Sequence, residues 1–334
     1  MMRRAGYVEL LGRVDAEGIH ARLHWTSGSR AGEYDPWDGD RGSLPGAPRR
    51  PFGATCRDTE DGGYFAEQLW GTPRLVIVGA GHVGRAVAQI ASVMGFHTVV
   101  VDDRPELARV SQLPGADLVV ADDYGNALCA LPDHANSYFV IVTPGHRSDR
   151  ECARLCLTRT HQYVGMIGSR RKAALVRREL TEAGLPHALA QELRSPIGIH
   201  LGGPAPGEIA VSICAELVQV RAERQGSVVE AAVADAIRQL AETPDQSAVL
   251  ATVIGDAGST PRGTGARMVV NAQGPVAGSV GGGAVELEVT RRALALLEEE
   301  NSSLGVSDYD LSGRQGNELD MICGGSVRVL LERI

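Results

Sequence analysis

The hexapeptide Gly79-Ala80-Gly81-His82-Val83-Gly84 constrains this chain more than any other stretch of it. It follows an apolar run, Arg74-Leu75-Val76-Ile77-Val78, and opens a segment in which Val83, Ala86, Val87, Ile90 and Met94 recur at helical spacing. A short apolar run, a glycine turn and an amphipathic helix, in that order, form the context in which GxGxxG denotes a nucleotide-binding βαβ unit. The glycines let the backbone turn tightly and approach a diphosphate, whose charge the free N–H groups and dipole of a helix N-terminus stabilise. Gly79, Gly81, His82 and Gly84 are therefore candidate ligand-binding residues. Asp102, eighteen residues after Gly84, stands at the end of the next apolar run, where a carboxylate accepts hydrogen bonds from a ribose. The alternative is a βαβ unit that only packs, with glycines serving turn geometry. Arg104 is then either solvated or paired with phosphate.

The alternation continues through apolar runs at Thr98–Val101, Ala116–Val120, Tyr138–Val142 and Tyr163–Ile167, with helical stripes at Lys172–Ala183 and Pro206–Arg224. Strands alternating with helices predict a Rossmann-like, doubly wound parallel sheet, here over residues 71–225. Thr143-Pro144-Gly145-His146-Arg147-Ser148-Asp149 follows the fourth strand at its carboxyl edge, the side on which ligands sit in open α/β sheets. His146 is read as an acid, a base or a phosphate ligand, whereas Ser148 or Asp149 alternatively caps the next helix. In Gly165-Met166-Ile167-Gly168-Ser169-Arg170-Arg171-Lys172, Ser169 and Arg170 open another helix, and the cations either clamp an anion or are solvated.

The flanks read differently. Between Trp25 and Gly63 the chain is crowded with Gly, Pro, Asp and Arg and reads as loop. Beyond Gly226 come a helix to Pro244, β-prone runs at Ala248–Ile254 and Arg267–Asn271, the glycine cluster Gly278-Ser279-Val280-Gly281-Gly282-Gly283, a helix of about Val285 to Glu300 and a strand at Ser326–Leu331. This is a second α/β domain, at 226–334. Lys and Arg total 33 against 41 Asp and Glu, a net charge of −8, which argues against nonspecific nucleic-acid binding. No apolar stretch has the length of a membrane span, and the interspersed charges of Ala5 to His20 leave no signal-peptide core. The six cysteines form no CxxC pair, so a reduced, cytoplasmic protein is expected. Cys152 and Cys156 read as core residues. No metal site is assigned, since His20 and His24 lack the acid of a zinc-protease pattern.

Several strings together resemble the xanthine dehydrogenase accessory factors, the XdhC/CoxI family. In the central domain these are Arg74–Val83, Val101-Asp102-Asp103-Arg104-Pro105-Glu106, Tyr163–Lys172, Ser195-Pro196-Ile197-Gly198 and Pro206–Ile213. In the last domain they are Gly258-Ser259-Thr260-Pro261-Arg262, Gly265-Ala266-Arg267-Met268, Gly278–Glu286 and Ile322-Cys323-Gly324-Gly325. The resemblance implies a chaperone that binds the molybdenum cofactor, molybdopterin or its cytosine dinucleotide form. It would hold the cofactor for sulfuration and insertion into an apo molybdenum hydroxylase such as xanthine dehydrogenase, with a cysteine desulfurase as a further partner. A homodimer is expected. Ser259, Arg262, Gly282 and Glu286 then belong to anion-binding loops that face the Rossmann cleft, the alternative being pure turn geometry, and Cys323 is either a thiolate beside the cofactor or an inert core residue. His146 and Cys323 are the candidates for any catalysis. Many relatives place the domain with the Gly-Ser-Thr-Pro-Arg motif first. The reversed order here implies a circular permutation in which residues 1–70 complete the domain at 226–334, with Tyr7–Leu23 packing against Ala248–Ile334. A second departure is Ala284, where some relatives carry cysteine. The rival function is an NAD(P)-dependent oxidoreductase using Asp102 on the ribose, although no Tyr-xxx-Lys pair stands out.

Overall fold

A computed structural model of the chain describes residues 4–36, 54–223, 226–243, 245–260, 262–299, 302, 304–311 and 325–334. The chain divides into two compact units. A split unit is formed by Met1–Asp15, Ile19–Gly71 and Gln225–Ile334, and a central unit by Ala16–Gly18 and Thr72–Arg224.

The split unit begins with helix α1 (Arg4–Glu17) and strands β1 (Ile19–Trp25), β2 (Tyr34–Pro36), β3 (Thr55–Thr59) and β4 (Gly62–Trp70). In α1 the positions Tyr7, Leu10, Leu11 and Val14 are the buried ones, a stripe at i, i+3, i+4 and i+7. β4, paired with β1 on one side and β3 on the other, is buried at nearly every position; Leu69 packs with α1, and Phe65 with Ile254 and Leu330. Strands β2 and β3 lie inside the stretch read from sequence as loop. Each is short and is held mainly by a neighbour's ladder, a long-range contact that leaves no periodic signal in Tyr-Asp-Pro or Thr-Cys-Arg-Asp-Thr.

The central unit supplies β5 (Arg74–Val78), α2 (His82–Val93), β6 (His97–Asp102), β7 (Leu118–Ala121), α3 (Tyr124–Ala130), β8 (Ser137–Ile141), α4 (His146–Leu157), β9 (Tyr163–Met166), α5 (Arg170–Glu182), α6 (His187–Gln191), β10 (Leu193–Arg194) and α7 (Pro206–Glu223). Its six strands are all parallel, in the order β7-β6-β5-β8-β9-β10. Counted within the unit this is 3-2-1-4-5-6, the doubly wound order, with its switch point between β5 and β8. The expected doubly wound sheet is thus present. Both faces are covered: Leu75, Ile77, Tyr138 and Val140 pack with α2 and α7, and Val76, Val78, Phe139 and Ile141 with α3, α4 and α5. Strands enclosed on both sides need apolar residues at successive positions, which is why Leu-Val-Ile-Val reads as a continuous run.

The split unit resumes with β11 (Ser227–Val228), α8 (Ala231–Glu242), β12 (Ala248–Ala257), β13 (Arg267–Asn271), β14 (Gly274–Gly278), α9 (Gly283–Glu298), β15 (Leu304–Asp310) and β16 (Ser326–Arg333). The helix expected from Gly226 thus starts later, behind a two-residue strand on β4. Strands β14-β13-β12-β16-β15 form an antiparallel sheet. One face, with Val249, Ala251, Val253 and Met268, packs on Val285, Val289 and Ala293 of α9. The other carries Leu250, Val269 and Ile334 into a core with Tyr7, Leu10, Leu11 and Val14 of α1 and Val233 and Ile237 of α8. The first helix and Ile334, next after the last strand, therefore meet in one core.

Candidate functional site

The glycine turn sits at the switch point. Gly79 has φ +120°, and a Cβ there would lie 2.6 Å from the carbonyl oxygen of Val142, just beyond β8. Only glycine brings the two strand ends that close. A Cβ on Gly84 would collide with the carbonyl oxygen of Gly79, so this position is set by packing of α2 on β5. Gly81 is different: a Cβ there would meet nothing within 4 Å. It is also the N-cap of α2, with no side-chain cap and no acidic residue in the first turn. The helix N-terminus thus has no side-chain cap and has open space beside Gly81, the arrangement suited to a bound phosphate. His82, the first residue of α2, is exposed beside it.

Asp102, at the end of β6, is completely buried, and Arg104 covers it. Its Oδ2 accepts the Ala80 N–H at 2.6 Å and an Arg104 terminal N–H at 2.8 Å. Its Oδ1 accepts the Arg104 backbone N–H at 3.0 Å and Arg104 Nε–H at 2.8 Å. Burial alone would raise the Asp102 carboxyl, but the Arg104 side chain and the two backbone N–H groups outweigh it and hold the pKa below the usual value. The carboxylate therefore fixes the glycine turn through Ala80, and Arg104 is the exposed member of the pair.

His146 is the first residue of α4, with Nε2 3.5 Å from Glu179, a carboxylate that also lies 3.5 Å from Arg150. Asp149 is fully buried, accepts the Thr143 hydroxyl at 2.7 Å and pairs with Lys172. It thereby ties the loop after β8 to the first turn of α5, and it does not cap α4, which has no side-chain cap. Ser169 is the N-cap of α5 and accepts the Lys172 N–H at 3.2 Å. Of the cations expected to clamp an anion, Lys172 is taken by Asp149, while Arg170 is exposed and lines a cleft of about 510 Å³ with Gly198, His200, Gly202, Ile209 and Ser212. Ile209 belongs to the same apolar cluster as Ala80 and Val83. Glu216 of α7, which the sequence reading passed over, orders this cleft: it accepts the Gly198 N–H and the Tyr163 hydroxyl, each at 2.6 Å. Its only sequence signal is a carboxylate on the apolar side of α7, between Ile213 and Leu217.

In the split unit the glycine cluster also opens a helix, α9, but Glu286 accepts the Ser279 hydroxyl at 2.6 Å and the Gly282 N–H at 3.1 Å. The position an anion would take is filled from within the helix. Arg262 forms a surface ion pair with Glu230, and Ser259 is exposed after β12. Cys323 lies outside the described residues. Gly325 packs tightly on the backbone of Ala257 and Ser259, each of whose carbonyl oxygens would be 2.6 Å from a Cβ there. A second buried polar cluster was not anticipated: Glu67 bonds Arg22 Nε at 2.6 Å and pairs with Arg267, while Glu332 accepts the hydroxyls of Tyr7 (2.7 Å) and Tyr34 and lies 3.5 Å from His24. Burial pushes the Cys152 thiol up to about 12 and that of Cys156 well above its ordinary value, so neither is a reactive thiolate. Among the described residues no group of three or more His, Cys, Asp or Glu side chains is arranged to hold a metal ion, and no helix is long and apolar enough to cross a membrane.

A model of the XdhC Rossmann domain matches residues 75–217, and a model of the XdhC and CoxI family matches residues 241–310, together more than half of the chain. The chain is 35% identical over 157 residues to the uncharacterized protein YqeB of Escherichia coli (strain K12), covering 47% of this chain and 29% of that protein. It is 27% identical over 190 residues to a probable xanthine dehydrogenase subunit of Bacillus subtilis (strain 168), covering 55% of this chain and 56% of that one. It thus spans less than two thirds of either relative. A solved structure of a xanthine dehydrogenase from Bacillus halodurans aligns over 65% of this chain and 63% of that chain, at 23% identity and a TM-score of 0.45. With both family models matched, one on each unit, the chain belongs to the XdhC and CoxI family.

Proposed function

We propose that this protein is a maturation factor for a molybdenum hydroxylase of the xanthine dehydrogenase type, and that it binds a dinucleotide form of the molybdenum cofactor at the glycine turn of the central unit. The observation that carries this reading is the bare N-terminus of α2: Gly81 faces open space at the switch point of a doubly wound sheet, in a chain of the XdhC and CoxI family. The residues present fit the diphosphate part of such a ligand. Gly81 leaves room for it, the first turn of α2 has no side-chain cap, and Arg170 supplies an exposed cation. When bound, the cofactor supplies the redox-active metal that the hydroxylase needs. The chain's own task is to bind the ligand, orient it and release it to the apo-enzyme, with a cysteine desulfurase as the further partner for sulfuration. The rival reading, an NAD(P)-dependent oxidoreductase, needs Asp102 on a ribose, yet the acceptor positions of Asp102 are filled by Ala80 and Arg104.

The pairing of α1 with β12, β13 and the C-terminal residue Ile334 in one core supports reading 1–70 and 226–334 as a single, permuted domain. The test of function is co-expression with a molybdenum hydroxylase, followed by metal and pterin analysis of the purified chain. Molybdenum, a pterin and cytidine monophosphate should be recovered from the wild type and lost from Gly81→Val. Recovery of pterin without a nucleotide would remove the dinucleotide form from this reading. Recovery of neither from the wild type would overturn it.

A further inference from the structure

A carboxylate has about four acceptor directions, and in Asp102 all four are engaged by Ala80 N–H and three N–H groups of Arg104, at 2.6 to 3.0 Å. The side chain has no exposed surface, whereas that of Arg104 is 36% exposed. Asp102 therefore offers nothing to a ribose diol unless a bidentate, charge-assisted pair is first broken, and such pairs are among the stronger contacts in proteins. The effect on Arg104 is the converse. Two guanidinium nitrogens and its own backbone N–H are locked on one carboxylate, so a planar cation is held in a fixed orientation while 36% of its side-chain surface stays exposed. This plate adjoins the glycine turn, because the Ala80 N–H is bound to the same carboxylate and Gly79 N–H donates to Val101, one residue earlier, at 2.8 Å. Asp103, 3.9 Å from Arg104, and Asp102 itself offset its charge. The site is thus poorly suited to a further phosphate at this end and well suited to a flat, uncharged π-system, which arginine stacks on through its plane.

We propose that Arg104 is the residue that receives the nucleotide base, stacking on it, and that Asp102 is its strut and not the acceptor for ribose hydroxyls. This rests on the nucleotide-binding reading of the glycine turn and goes further by assigning the recognition of the nucleoside end. Stacking is tolerant of base identity, so the site selects for a nucleoside diphosphate over a bare diphosphate while discriminating little between cytosine and adenine.

The experiment is calorimetric titration of the intact chain with four probes: inorganic diphosphate, CDP, ADP and 2′,3′-dideoxy-CDP. CDP and ADP should bind about tenfold or more tightly than inorganic diphosphate and within a few-fold of each other. Dideoxy-CDP should match CDP within about threefold, whereas a ribose-reading Asp102 would make it weaker by an order of magnitude or more. In Arg104→Lys, which keeps the charge but loses the plane, CDP should fall to the affinity of inorganic diphosphate, and diphosphate itself should change by less than about threefold. A large loss for dideoxy-CDP on the wild-type chain overturns the proposal without any variant having to fold. So does an advantage of CDP over diphosphate that survives in Arg104→Lys. In both cases the nucleotide-binding turn stands. If neither CDP nor diphosphate binds the wild type, or if Gly81→Val binds them unchanged, the turn itself is misread and the proposal falls with it.

Discussion

Two glycine-rich turns open helices in this protein, and they end differently. At α2 the turn Gly79–Gly84 leaves the helix N-terminus without a side-chain cap, with Gly81 facing open space. At α9 the cluster Gly278–Gly283 is folded back on Glu286, whose carboxylate takes the N–H of Gly282 and the hydroxyl of Ser279. Both face the same need, N–H groups without helical partners: at α9 Glu286 takes the N–H of Gly282, whereas at α2 no side chain does so. A run of glycines before a helix is therefore not by itself a ligand site. A carboxylate in the first turn converts it into a cap.

The sharpest way to break the contrast is Gly81→Val. We expect a loss of nucleotide or cofactor binding on the order of 100-fold with stability lowered by no more than about 1 kcal/mol, the cost of a poorer N-cap, since the added atoms enter empty space. The neighbouring Gly84→Ala should do the opposite, lowering stability by about 2 kcal/mol, because its methyl meets the carbonyl of Gly79. Equal thermal losses for the two variants would show that Gly81 is a packing position.

The units also differ in what their buried carboxylates do. Asp102, Asp149 and Glu216 hold loops at the carboxyl end of the central sheet, whereas Glu67 and Glu332 link strands in the split unit. Burial pushes Glu332 up to about 7, so as pH rises from about 4.5 to 7 the folded state keeps a proton that the unfolded state has lost, and stability falls. Burial, with the Arg22 charge, pushes His24 down to about 3. As pH rises from 3 to about 6.5 the unfolded state is the one binding more protons, and stability rises. The two slopes oppose each other between pH 4.5 and 6.5, so the wild type should be nearly flat there. In Glu332→Gln the His24 slope is left alone, and stability should rise across that window by about 3 kcal/mol. All three tryptophans, Trp25, Trp37 and Trp70, lie in the split unit's part of the chain, so their fluorescence follows its unfolding. Parallel profiles for variant and wild type would refute this assignment. Glu67 is held down to about 2: burial opposes this, but the charges of Arg267 and Arg22 prevail. Its contribution is lost only as pH falls from about 4.5 toward 2.

Glu286→Ala should cost about 1 kcal/mol, the usual value of a lost cap. It should also open the α9 terminus, so that added sulfate stabilises the variant more than the wild type. A variant indifferent to sulfate would mean that the glycine cluster cannot bind an anion even when uncapped. The smallest effect is expected at Arg262, whose pair with Glu230 is on the surface: Arg262→Ala should change stability by less than about 0.5 kcal/mol. A drop in cofactor retained by that variant in the co-expression assay would then report a lost ligand contact and not unfolding.

What could be read without coordinates followed from short-range order. The strand, turn and helix around Gly79–Gly84 are contiguous, so apolar periodicity and glycine spacing locate them, and the alternation after Arg74 carries the doubly wound sheet with it. Strands β2 and β3 escaped notice because each is stabilised by a partner distant in sequence. The stripe in α1 was present at Tyr7, Leu10, Leu11 and Val14 but was interrupted by Glu9, Arg13 and Asp15. In the site, residue types were legible and their partners were not. Asp102 looked like a ribose acceptor and Lys172 like a free cation until Arg104 and Asp149 were seen against them.

The sequence by itself determined the Rossmann-like unit and where its glycines fall, because backbone conformation at a tight turn depends on the residues in that turn. Only the tertiary structure decided which of those polar groups remain available. A carboxylate or guanidinium is free or spent according to what folds within about 3 Å of it, and the residues that do so include Glu67 against Arg267 and Tyr7 against Glu332, pairs joined by long-range packing that no local pattern encodes.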